Sequence, residues 1–423
     1  MDRKYFVVIA LSAIWIAVYA AEAPLFGHII GVQQPHALEP EQINPELHGD
    51  TPTQLWAARH IVTELGSDMI KLAIEKRHLE KQGFKIEGSP GLTELAQHAL
   101  YQKILALPYR TAFFWAHGQT AFQYYTPAKA ALVYQEFYEF TEYLLKTFNN
   151  SGKTFMIGNW EGDWILGAPA AGKGGDCSEE SIQRMIAWMN VRGKAVEDAR
   201  KAVAHKNVQV YFYMEVNLVR EARVKGLKRM VNSVLPHAKY TDYVSVSSYD
   251  IQGMGAWDKP QSAVSLRAKL FQDLDYVESM LPPRPLTGRR VGIGEIGFAL
   301  VHIKHHYRVD EKQAEIIQAR LALESAMVNL EWGVPFWQWW ALHNNEVCPD
   351  GGFMGFGLID QRSAGKRRLW YELKAYNEWA RDFIEAERFE TGRAPSSDSL
   401  RQAAIVWLKG RVAACQTPVG RGP

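Results

Sequence analysis

The chain has 423 residues, 47% hydrophobic and 22% charged, the proportions of a globular protein with a large core. Its 48 basic and 46 acidic residues leave a net charge of +2, and no long basic run carries interleaved aromatics, so nucleic acid is excluded as the main partner. Aromatic residues are abundant (14 Trp, 18 Tyr, 18 Phe), and several fall at the ends of predicted strands, where sites for sugars and other flat ligands place them.

The N-terminus reads as a targeting signal. Asp2-Arg3-Lys4 precedes an apolar run over 5–20, and small residues follow at Ala20, Ala21 and Ala23. That is the layout of a secretory signal peptide over 1–22, with an uncleaved anchor as the competing reading. A secreted or periplasmic protein, free of the membrane after cleavage and monomeric, is expected. The 3 cysteines, Cys177, Cys348 and Cys415, form no C-x-x-C pair, which argues against structural zinc. Cys177 and Cys348 both fall in predicted loops and could bridge.

In chain order, strand one is predicted over 27–33, followed by a Pro-, Glu- and Asn-rich loop over 35–52. A helix over 53–65 leads to strand two over 69–74. An insertion with a helix over 92–105 leads to strand three over 111–115, which runs into Ala116-His117-Gly118. Thr126-Pro127 supplies a cap and a first-turn proline for a helix to about 148. Strand four over 154–159 delivers Glu161, and a glycine-rich loop over 162–177 follows. Ser178 caps the next helix, with Glu179 and Glu180 suiting its dipole. Strands five and six are predicted over 208–214 and 243–248, a helix over 266–280, and strand seven over 290–296. Asp310 with Gln313 starts a helix that stops before Gly333. Strand eight over 335–340 and a helix over 368–387 complete the alternation.

Eight strands alternating with helices is the pattern of an α/β protein of the (β/α)8 TIM-barrel type. The barrel is expected over 25–388, with long loops on its C-terminal face and a short C-terminal extension over 389–423 in which 397–412 can form one more helix. A doubly wound open sheet would carry a phosphate loop after strand one, and Gly31-Val32-Gln33-Gln34 is nothing like one.

Catalytic groups of such barrels cluster at the C-terminal ends of the strands. Those ends carry Gln33 and Gln34, Glu75, Trp115 and His117, Asn159 and Glu161, Glu215 and Asn217, Tyr249 and Asp250, Glu295, and Trp340 and His343. The set is far more polar than a core permits. Glu161 after strand four and Glu295 at the end of strand seven are its organising pair.

Ile293-Gly294-Glu295-Ile296-Gly297 resembles the strand-seven nucleophile motif of clan A glycoside hydrolases, which are retaining TIM-barrel enzymes. The resemblance extends to the acid/base glutamate after strand four, matched by Glu161, an aromatic after strand six, matched by Tyr249, and a tryptophan on strand eight, matched by Trp340. It implies a retaining glycosidase with Glu161 as acid/base and Glu295 as nucleophile, acting on a polysaccharide or oligosaccharide without metal or organic cofactor. The clan places Asn directly before its acid/base Glu. Here Trp160 separates Asn159 from Glu161, which leaves Asp163 as a second candidate for the proton donor.

Glycosidic cleavage needs one protonated carboxyl at the leaving oxygen and one carboxylate across the anomeric carbon, about 5–5.5 Å apart for retention. Tyr249 can donate to Glu295, and Trp340 can floor the sugar. Trp115, His117, Asn159 and Glu215 are the remaining substrate-contact candidates, although Glu215 can equally pair with a basic group. His302, His305 and His306 form a cluster without a completing carboxylate and read as a surface loop. Lys71 lies inside strand two with no role evident. A transglycosylase on the same site and a non-catalytic carbohydrate-binding barrel are the alternatives.

Overall fold

A computed structural model describes residues 25–38, 43–170, 172–252, 260–348, 350–360 and 363–416. The signal-peptide segment and the tail beyond 416 lie outside the described residues. Eight parallel strands close into one barrel in sequence order: β1 Ile30–Gln33, β2 Met69–Glu75, β3 Thr111–His117, β4 Thr154–Gly158, β5 Gln209–Val216, β6 Tyr243–Ser247, β7 Val291–Ile296 and β8 Trp337–Trp340. β1 closes the ring by pairing with β8, Ile30 against Trp337 and Gln33 against Trp340.

Period-two alternation along each strand divides the apolar residues into two cores. Ala112, Phe114 and Ala116 of β3 and Val210, Phe212, Met214 and Val216 of β5 face outward into the large shell between strands and helices. Phe113, Trp115, Tyr211 and Tyr213 face inward and fill the barrel with Met69, Met156, Tyr243, Phe336 and Trp340. The same alternation turns Lys71, Glu215, Ser245 and Ser247 inward, since their neighbours on either side belong to the shell or the inner core in turn. Above the aromatic layers the barrel axis is therefore polar.

Two of the expected side-chain caps form and one does not: Thr126 precedes the 3-10 turn Pro127–Lys129, which leads into Ala130–Thr147, but its side chain makes no cap bond. Ser178 accepts from the Ser181 amide to cap Glu179–Ala202, and Asp310 accepts from Gln313 to cap Glu311–Trp332, which stops at left-handed Gly333. Two expected helices are subdivided. The one after β1 is α-helical over Thr53–Arg59 and then π-helical over His60–Glu64, and the insertion before β3 breaks at His98 into Leu92–Gln97 and Ala99–Leu105. The extension forms the helix Ser397–Gln416, with Leu400, Ala404 and Leu408 fully buried. All three cysteines are free thiols. Among the described residues no helix is long and apolar enough to cross a membrane.

Candidate active site

The C-terminal mouth of the barrel brings Glu161 and Glu295 together through β6. Ser247 stands in register with Glu295, and its hydroxyl donates to Glu161 Oε1 at 2.5 Å. Alternation from Ile293, in the outer shell, would turn Glu295 outward, but Ile296 lies in that shell too, so the alternation breaks between them. The pairing of β7 slips on both sides, between Val246 and Ser247 of β6 and between Ile293 and Ile296 against β8. Such an irregularity re-aims a side chain. Here it brings Glu295 to the mouth, where the Tyr249 hydroxyl donates to Oε1 at 3.3 Å and the Lys71 ammonium lies 3.9 Å from Oε2.

Glu161 is held from two sides. Besides Ser247, the Trp164 indole donates to its Oε2 at 2.9 Å. Burial pushes its carboxyl up to about 7; the Ser247 bond opposes this, and the nearby Glu215 charge adds to it. Burial, then the charge of Glu161, push Glu295 well above the carboxylate range, with Lys71 acting in the other direction. Two acids in one dry mouth cannot both ionise cheaply, so near neutrality the pair retains a proton.

Beneath them Glu215 is a hub. Its Oε2 accepts from Lys71 Nζ at 2.6 Å and Ser245 Oγ at 2.6 Å, while Oε1 accepts from the Trp115 indole and from the backbone amide of Glu161, both at 3.2 Å. Lys71 also donates to the Gly294 carbonyl at 3.0 Å and lies 4.6 Å from the Trp115 ring centre. Both side chains of the ion pair are fully buried. Gly294 is the residue that makes room: a Cβ there would stand 1.7 Å from Ser245 Oγ and 3.3 Å from Glu215 Oε2. The glycine before Glu295 is thus a packing requirement of the polar layer below it.

The remaining predicted residues divide by what they touch. Trp115 and Trp340 lie side by side, ring centres 6.3 Å apart, and the Trp340 indole donates to Glu346 Oε1 at 2.8 Å. His117 lines a cleft beside the carboxylates, and burial lowers its imidazole to about 3, so it is neutral. Asn159 and Glu215, expected on the substrate, have their polar atoms engaged by protein. The Asn159 amide spans from β4 to β5, accepting from the Glu215 N–H and donating to the Glu215 and Trp160 carbonyls. Asp163 is fully buried and accepts from the amides of Asn217, Leu218 and Met230 at 2.7–3.1 Å, which occupies it as a structural clasp. His343 is buried, with its ring 5.9 Å from that of Trp56. His302, His305 and His306 lie on the helix Leu300–Tyr307, and the described residues contain no group of three or more His, Cys, Asp or Glu suited to a metal.

Sequence reasoning missed Ser245, Ser247, Trp164 and Glu346, and the last two carried no signal, being single residues of common types among many. For Ser245 and Ser247 the strand alternation of Tyr243–Ser247 was the available clue, because it sets the two serines on one face.

No protein-family model and no curated protein matches the chain. Among solved structures it is similar to a family 1 beta-glucosidase from Thermotoga maritima, with 15% identity over 85% of this chain and 98% of that one and a TM-score of 0.49. It is also similar to a family 5 xyloglucanase from Paenibacillus pabuli, with 12% identity over 84% and 98% and a TM-score of 0.46. A third likeness is to an FMN-binding beta-glucuronidase from Facaelibacterium prausnitzii L2-6, with 14% identity over 84% of this chain and a TM-score of 0.43; the chain spans 44% of that protein's length. These neighbours are glycoside hydrolases.

Proposed function

We propose that the protein is an exported retaining glycoside hydrolase that cleaves a polysaccharide or oligosaccharide with Glu161 as acid/base and Glu295 as nucleophile. The observation that carries this reading is the meeting of two carboxylates at the barrel mouth: half-buried Glu161 accepts from Ser247, the residue in register with buried Glu295, and its charge raises the Glu295 carboxyl. A carboxyl raised to about 7 still holds its proton when a leaving oxygen arrives, which is what a general acid needs at neutral pH. Burial and the Glu161 charge raise Glu295, and against them the Lys71 ammonium and the Tyr249 hydroxyl, which both face it, support its ionised form once the pair gives up one proton. The ionised Glu295 attacks the anomeric carbon while Glu161 protonates the departing oxygen. In the second step Glu161, now a base, draws a proton from water, which releases the sugar from Glu295 with the original anomeric configuration. Trp340, the last residue of β8, is the ring placed to floor a sugar at the mouth, backed by the buried Trp115 with ring centres 6.3 Å apart.

The test is to screen the secreted protein on a glycan panel and follow the product anomer by proton NMR. On any glycan it cleaves, Glu161→Gln and Glu295→Gln should each lower kcat by about a hundredfold or more. Full activity in both variants, or an inverted first product, overturns the assignment.

A further inference from the structure

We propose that the cleft over the mouths of β2, β3 and β4 binds an uncharged stretch of glycan chain beyond the sugar being cleaved, so that the protein acts on long neutral chains. The inference rests on the carboxylate reading above and adds the class of substrate and the mode of attack. The cleft has a volume of about 900 Å³, near the upper end of the ~300–1,000 Å³ of ligand sites.

Two of its lining residues are large rings left open to solvent, Trp160 at 37% and Tyr124 at 61% exposure. A soluble protein gains nothing from an exposed indole and phenol on one concave wall unless something stacks on them. The cleft also adjoins Glu161, because Trp164, which lines it, donates to Glu161 Oε2 at 2.9 Å. Trp340 lies 6.3 Å from Trp115, and Trp115 lies 6.4 Å from Trp160, so a line of rings leads from the strand beside Glu295 into the open cleft.

The charges at this wall cancel in pairs. Arg77 stands 3.5 Å from Glu75, and Lys76 stands 3.5 Å from Glu80 and donates to the Gly88 carbonyl at 2.6 Å. Gln119 and Gln123 supply neutral amides, and His117 is uncharged. A chain of uronic acids or sulfated sugars would find no free cation among these pairs. Neutral hydroxyls find amides and ring faces. That is the complement of an uncharged glycan.

The experiment measures kcat/KM on neutral oligosaccharides of two to six units, derived from glucan, mannan and xylan, with oligogalacturonides of equal length as charged counterparts. Wild type should gain with length on a neutral series and prefer it over the charged one. Tyr124→Ala and Trp160→Ala should each lower the ratio of hexasaccharide to disaccharide kcat/KM by about tenfold, one stacking contact's worth, while Tyr124→Phe keeps it. Length-independent kcat/KM, a preference for the charged series, or an unchanged ratio in both alanine variants overturns the inference. If wild type cleaves no glycan, the carboxylate assignment fails by itself. Calorimetric titration of the neutral hexasaccharides into wild type and Tyr124→Ala then decides the cleft: about tenfold weaker binding by the variant supports it, and equal or absent binding overturns it.

Discussion

Glu215 has no oxygen left for a ligand. Four donors surround it, and one of them, Lys71, also leans toward Glu295. Removing one member of a fully buried ion pair leaves the other uncompensated, at about 3–5 kcal/mol, whereas replacing both by apolar groups is often neutral. Lys71→Met is therefore expected to lower unfolding stability by about that amount, and Lys71→Met combined with Glu215→Leu to recover much of it, as denaturant titration would reveal. Activity should not return with stability in the double variant, because the cation beside Glu295 is still missing.

Glu161 makes the complementary case through pH. Its carboxyl binds a proton more tightly folded than unfolded, with a value near 7 against an ordinary 4.5. An acid raised in this way favours the folded state at low pH, and that contribution disappears as pH climbs from about 4.5 through 7. Glu161→Gln, which cannot ionise, should match wild type in thermal stability near pH 4 and exceed it at pH 8. A variant less stable than wild type at pH 8 contradicts the raised carboxyl of Glu161.

At the level of elements, much was legible because it is written in periodicity. Strands two and seven differ from their expected bounds by a single residue, and the caps at Ser178, Asp310 and Gly333 act as their chemistry dictates. What escaped was non-local. Lys71 meets Glu215 across 144 positions, and no local pattern announces that a lysine inside a strand has a partner. The register slip of β7 that brings Glu295 to the mouth is equally invisible in Val291–Ile296 itself.

The turn after β4 shows how an element serves the site without joining its chemistry. Asp163 fastens it to the end of β5 and to the turn at Met230, while the buried Arg192 of the helix Glu179–Ala202 reaches the Ala116 and Gly158 carbonyls, at the ends of β3 and β4. Asp163→Ala leaves three buried amides unanswered and should cost about 2–4 kcal/mol, with Asp163→Asn milder. Its activity should fall through misplacement of Glu161 with the pH optimum unmoved; a displaced alkaline limb in Asp163→Asn would point to Asp163 as the proton donor.

For the molecule as a whole, the helix Ser397–Gln416 is wedded to the barrel. Trp407 stacks on Trp379 at 5.8 Å and meets Tyr376 edge-on at 5.4 Å, and Arg411 binds Glu372 at 2.5 Å. Cutting the chain at 396 uncovers these rings and the surfaces that cover Leu400, Ala404 and Leu408. The truncated protein is expected to melt at least several degrees lower and to aggregate on size-exclusion chromatography. An unchanged melting temperature would mark the helix as dispensable.

The closure of β1 on β8 has a consequence in time. As the chain emerges from the ribosome, the outer edge of Ile30–Gln33 has no neighbour until Trp337–Trp340 is made, and the Tyr376 hydroxyl that seals the His28 carbonyl at 2.7 Å arrives 348 positions later. An open parallel edge is a template for the wrong strand throughout that wait. β7 pairs with β8 on its far side, and Trp340, whose indole donates to Glu346, is the last residue of the final strand. The ring is therefore closed only once the first and last strands find each other, so the barrel's seam is the last part of its hydrogen bonding that the chain can complete.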